Sequence, residues 1–146
     1  MRRRSWYQLV ILTAFLSGAP VAGFACRCLE DISPAAAYKY ADAVVQGQVQ
    51  TVRGDINARE GSTASVAVSK AWKMSVSGEI EVLTSKSCAF AFEAETEYLL
   101  YLQILPNGTG YTTRRCAGNK PIAEARKALD WLARRGAPAT LQRAAP

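Results

Sequence analysis

The sequence predicts a mainly β domain: a small closed Greek-key barrel of five short strands, with a short helix before it and a longer one after it. Three observations carry this. Five runs rich in Val, Ile, Leu, Thr and Tyr are separated by turn residues, with no strand–helix–strand alternation between them. The first run has a glycine at its centre, Gly47, where a barrel strand needs a bend or bulge. Four cysteines, Cys26, Cys28, Cys88 and Cys116, frame the runs and imply two disulfides.

The chain opens with Arg2-Arg3-Arg4, continues with an apolar run from Leu9 to Leu16, and reaches the small residues of Gly23-Phe24-Ala25. A basic start, a short apolar segment and a small-x-small site read as a secretory signal over 1–25. The apolar run falls short of the ~20 residues that a membrane span needs, so no span is expected. Cleavage would make Cys26 the first residue of the mature chain and leave one domain over 26–136, with a flexible Ala/Pro-rich tail over 137–146. The expected location is secreted or periplasmic, where disulfides persist. The signal carries three arginines and no acid, so the net charge falls from +6 for the whole chain to +3 for the mature part. That is a mixed solvated surface, and no nucleic-acid partner is expected.

Each element has a local reason. Ser33-Pro34 supplies an N-cap and a proline at the first helical position, and 35–41 follows with helix formers. Ala43 to Val52 alternates as a strand, and the polar segment from Arg53 to Ser62 forms a hairpin loop. In the second strand, Thr63 to Lys73, Val66, Val68 and Trp72 share a face with Lys70 against a small face of Ser65, Ala67, Ser69 and Ala71. Ser77-Gly78 turns into the third strand, 79–84, with Ile80 and Val82 inward. Glu97 to Leu105 is apolar on both faces, a two-sided strand. Asn107-Gly108 makes a tight turn to the fifth strand, 111–114. Asn119-Lys120-Pro121 starts a helix whose apolar stripe is Ile122, Ala125, Leu129 and Leu132. The expected core is Val45, Val49, Val66, Val68, Ile80, Val82, Leu100 and Leu102. Tyr38, Tyr40, Trp72 and Trp131 are expected to pack helices or core. Among small Greek-key barrels, the five-stranded OB-fold is the commonest form.

The chemistry is limited. There is no histidine, which removes the commonest general base and metal ligand and excludes a Ser-His-Asp or Cys-His site. No enzyme activity and no cofactor are expected. A direct Cys26–Cys28 bond would close a strained ring, so each N-terminal cysteine is expected to join one distant cysteine, in either of two pairings. A lipid-modified Cys26 would want Leu where Gly23 stands. A thiol oxidoreductase would need free thiols at Cys26-Arg27-Cys28.

Taken in order, the Cys26-Arg27-Cys28 start, the short helix, Val44-Val45-Gln46-Gly47-Gln48-Val49, Ala67-Val68-Ser69-Lys70-Ala71-Trp72-Lys73, Ser87-Cys88, Tyr98-Leu99-Leu100-Tyr101 and Tyr111-Thr112-Thr113-Arg114-Arg115-Cys116 resemble the N-terminal netrin-like domain of the tissue inhibitors of metalloproteinases. The resemblance covers nearly all of 26–135. It implies an OB-fold and the pairings Cys26–Cys88 and Cys28–Cys116. It implies a secreted metalloproteinase inhibitor, expected as a monomer, whose Cys26 α-amino and carbonyl groups bind the catalytic zinc of a target zinc metalloproteinase. The protease-contacting residues that it implies are Arg27, Cys28, Leu29, Lys86, Ser87 and Ala89. An α-amino group with a pKa of ~8 gives up its proton to zinc readily, and the five-membered chelate takes the position that catalytic zinc keeps open. The family commonly has Ser or Thr where Arg27 stands, and it has a third disulfide and a second domain that this chain lacks. Arg27 suits only a deep or acidic pocket. The same barrel could instead be a non-inhibitory netrin-like protein-binding module of the cell envelope or extracellular space.

Overall fold

The computed structural model describes residues 26, 28, 31–85 and 88–135. The expected signal over 1–25, Gly136 and the expected tail over 137–146 lie outside the described residues, as do Arg27, Leu29, Lys86 and Ser87.

The described chain is mainly β. Helix α1 (Pro34–Tyr40) leads into β1 (Ala43–Gly54), β2 (Ser62–Lys73), β3 (Gly78–Thr84), β4 (Glu97–Ile104), β5 (Tyr111–Thr112) and β6 (Lys120–Pro121), and helix α2 (Arg126–Arg135) follows. The sheet order is β1-β2-β3-β5-β4-β6, and β1 also pairs with β4. That extra ladder closes strands β1 to β5 into a mixed OB-like barrel, with β3 and β5 parallel and the other pairs antiparallel.

The bend expected at Gly47 is present. The β1–β2 register shifts between Gln46 and Gly47, and the extra residue is Ser69 on β2. A Cβ on Gly47 would lie 2.7 Å from Val66 Cγ1 and 2.8 Å from the Ala67 carbonyl oxygen, so the close strand approach itself requires glycine.

That same extra residue corrects the expected face of Trp72. Val68 pairs with Gly47 and Ala71 with Val45, so Ser69 reverses the alternation and Ala71 faces the barrel core with Val66 and Val68. Trp72 then falls on the helix side, where a second shift bulges it out of the ladder between Ala71 and Lys73.

The described residues form two apolar clusters. The barrel interior holds Val45, Val49, Val66, Val68, Val82, Tyr98, Leu100 and Leu102, with Ile80 partly buried against them. The outer cluster holds Val44, Leu99, Tyr101, Ala37, Ala41 and Leu132, with Tyr38 and Trp131 packed on it. β4 thus buries alternate residues in different cores, as a two-sided strand should.

Ser33 caps α1 by accepting the Ala36 N–H at 3.2 Å. At the other end, Lys73 Nζ donates to the Tyr38 carbonyl at 2.9 Å, satisfying a terminal carbonyl of the helix. Tyr38 packs as expected, but Tyr40 does not: it is 67 % exposed and lies outside the outer cluster.

The last element also starts later than expected. Lys120 and Pro121 pair with Leu99 and Tyr98, a 3-10 turn spans Ile122–Glu124, and only then does α2 begin. Asn119 cannot cap a helix because both ends of its amide are committed elsewhere. Its Oδ1 accepts the Tyr101 N–H at 2.8 Å, and its Nδ2 donates to Thr113 Oγ1 at 2.8 Å and to the Arg114 carbonyl at 3.1 Å.

Candidate functional site

The site is built where the chain enters the barrel. Cys26 is bonded to Cys88 and Cys28 to Cys116, with Cα–Cα distances of 5.1 and 5.5 Å. This is the connectivity that the family resemblance implies. No cysteine is free. Two bonds only two residues apart fix the start of the described chain to two separate segments of the barrel.

Those two segments are themselves joined. The Arg115 N–H donates to the Cys88 carbonyl at 2.8 Å. Cys88 sits at φ 61°, in the left-handed region, which turns the chain sharply after β3. Cys116 lies in the 3-10 turn Arg115–Ala117, and Asn119 anchors the chain just beyond it.

The sequence-predicted contact residues divide into three groups. Cys26 is half-buried and Cys28 is exposed beside it. Arg27, Leu29, Lys86 and Ser87 lie outside the described residues. Ala89, expected to contact a target, is only 7 % exposed. The cause is the path of the chain from 88 to 92. The Phe90 N–H donates to the buried Thr84 Oγ1 at 2.7 Å. Phe90, Phe92 and Tyr98 then meet edge to face, with centroids 5.0 to 5.8 Å apart, over the end of the barrel. Ala89 is drawn in with them, so its side chain offers no contact surface.

Sequence reasoning missed Tyr101 and the space around it. A cavity of about 370 Å³ lies between α1, the Cys26–Cys88 bond and the barrel wall. Tyr101 lines it from β4 and is 2 % exposed. Burial pushes its phenol up to about 12, so it stays protonated at ordinary pH. The available signal was its spacing: Tyr101 stands two residues after Leu99, on the face that α1 and α2 cover.

Among the described residues, no group of three or more His, Cys, Asp or Glu side chains is placed to hold a metal ion, and no helix is long and apolar enough to cross a membrane. Compared with known proteins, the chain matches no protein-family model and no curated protein.

Proposed function

We propose that the chain is a secreted inhibitor of zinc metalloproteinases, similar to the tissue inhibitors of metalloproteinases, acting through the α-amino and carbonyl groups of a processed Cys26. One observation carries the reading. Two disulfides two residues apart clamp Cys26 and Cys28 to segments that a backbone hydrogen bond joins. A terminus ordered in advance loses less entropy when it binds, which is what a backbone chelator requires. In this reading Arg27 enters the specificity pocket of the target, and Leu29, Lys86 and Ser87 flank the contact.

The test compares two oxidised proteins, one beginning at Cys26 and one with a single alanine ahead of it, against a panel of zinc endopeptidases. Inhibition by the first and its loss in the second is the expected result. Equal inhibition by both removes the chelation mechanism.

A second reading is a netrin-like module that binds another envelope or extracellular protein without inhibiting a protease. The burial of Ala89 favours it, since the loop after Cys88 then offers less contact surface than an inhibitor of this kind would use. Absence of inhibition across the panel by the protein beginning at Cys26 would select this reading.

A further inference from the structure

We propose that the cavity beside the Cys26–Cys88 bond, with the cations on its rim, receives an acidic segment of a partner protein: one apolar side chain seated in the cavity and carboxylates on either side of it. This rests on the reading of the patch as a protein-contact surface, which the inhibitor and the non-inhibitory module share.

The place of the cavity ties it to that surface. Cys26, Cys88 and Cys116 all line it, so a partner docked on the clamped cysteines reaches it. Exposed Tyr40, Gln103 and Arg114 line it too, so it opens to solvent. Ile32, Ala37, Ala41 and Ala117 give it an apolar wall. Its volume of about 370 Å³ lies at the lower end of the roughly 300–1,000 Å³ of ligand sites, room for one side chain rather than a larger body.

The rim carries cations on two elements. After β5, the Arg114 carbonyl accepts from Asn119 Nδ2 at 3.1 Å, which fixes the backbone that bears the guanidinium. Arg115 beside it is also exposed, and its N–H is bonded to the Cys88 carbonyl. On α1, Lys39 is exposed, and its Nζ lies 5.9 Å from the centroid of the Tyr40 ring. In the sequence, Arg27, Lys86, Arg114 and Arg115 stand within two residues of the four cysteines, against one acid, Glu30. That net +3 equals the charge of the whole expected mature part, and the disulfides gather the four cysteines into one place.

A concentrated positive field draws an acidic surface and opposes a basic one. The apolar wall then chooses among acidic partners. A sulfated polysaccharide has the charge but no apolar side chain to seat there, whereas an acidic peptide has both.

The test is an NMR titration of the oxidised protein at low salt with three capped peptides and a heparin hexasaccharide. The peptides are acetyl-Glu-Glu-Leu-Glu-Glu-amide, the same peptide with serine for leucine, and acetyl-Lys-Lys-Leu-Lys-Lys-amide. The first should give saturable shifts at Ala37, Ala41 and Ala117. It should bind about tenfold or more tightly than the serine peptide, which has nothing to fill the cavity. The lysine peptide should not saturate. Affinity should fall as salt rises from about 20 to about 200 mM. Lys39→Gln and Arg114→Gln should each weaken the first peptide about two- to fivefold and keep the preference for leucine. Ala117→Leu, which fills the cavity, should remove that preference. The proposal is overturned if the first peptide does not saturate, if the lysine or serine peptide binds equally well, or if the two glutamine variants combined leave the affinity unchanged. Tighter binding of the hexasaccharide at the same residues would overturn it too, by making the patch a polyanion site. An alanine added ahead of Cys26 should leave peptide binding unchanged, so failure of zinc chelation and failure of this site are separate results.

Discussion

The backbone carbonyl of Cys88 accepts the N–H of Arg115 at 2.8 Å, so the residue bonded to Cys26 is tied directly to the neighbour of the residue bonded to Cys28. The two disulfides therefore act on one connected patch.

Removing either bond should destabilise the fold strongly. The bonds span sequence separations of 62 and 88 residues. Constraint of the unfolded chain over such loops is worth about 4–5 kcal/mol each. The double variants Cys26→Ser/Cys88→Ser and Cys28→Ser/Cys116→Ser should each lose most of that in urea unfolding. A loss below about 1 kcal/mol would show that the barrel stands without them.

Asn119 should be the most sensitive polar residue. It is buried and serves Tyr101, Thr113 and Arg114 at once. Asn119→Ala leaves the Tyr101 N–H without a partner and should cost about 2–4 kcal/mol. Asn119→Asp keeps the acceptor but loses both donors, and should fall between the alanine variant and the parent. Chemical denaturation of the three proteins at neutral pH checks the order.

Tyr101 should make the protein sensitive to alkali. Its folded pKa is raised from 10.0 to about 12. Its contribution is therefore fully present below pH 10 and is lost as pH rises towards 12, because the unfolded phenol ionises first. At about 1.4 kcal/mol per unit, the total loss approaches about 3 kcal/mol. Tyr101→Phe should reduce that slope, leaving the part due to Tyr98, whose phenol burial also raises. Urea unfolding at several pH values from 9 to 11.5, with thiols blocked against exchange, measures it.

Gly61 should not tolerate a side chain. Its φ is +76°, and a Cβ there would lie 2.1 Å from the Thr84 carbonyl oxygen. Gly61→Ala must move β3 away from the start of β2 and should cost at least about 2 kcal/mol. Thermal unfolding reads the loss; an unchanged midpoint would mean that the strand ends separate freely.

If the inhibitor reading holds, Arg27→Thr should broaden the range of zinc endopeptidases inhibited. An arginine enters only a pocket that supplies an acid or a deep, wet end, whereas threonine fits a shallow apolar one. Inhibition constants for both proteins across the panel decide the matter; identical profiles would place residue 27 outside the specificity pocket.

Much of this fold could be read from local pattern. The barrel core followed from period-two alternation, and the helix at Ser33-Pro34 followed from its cap. The misread positions share a cause: they depend on partners distant in sequence. Trp72 changes sides because β2 carries an extra residue at Ser69 that β1 does not pair, which reverses the alternation beyond it. Asn119 resembles a helix start, yet its amide is claimed by Tyr101 and Thr113. Ala89 looks like loop surface until Phe90 and Phe92 are seen to pack against Tyr98. At the candidate site, the cysteine spacing was visible, whereas the cavity at Tyr101 exists only once α1 lies against the barrel.

The pairing of β1 with both β2 and β4 has a consequence for biogenesis. The first hairpin can zip as soon as Ser62 to Lys73 is made, but Val45 must wait for Leu100 before its other edge is covered. A nascent chain therefore carries an open, valine-rich strand edge from the end of β1 at Gly54 until β4 is made at 97–104. Closure is a late, non-local event, and folding should be slow for a chain of this size. The edge is most open to mispairing in that interval, before Cys116 has arrived to be oxidised.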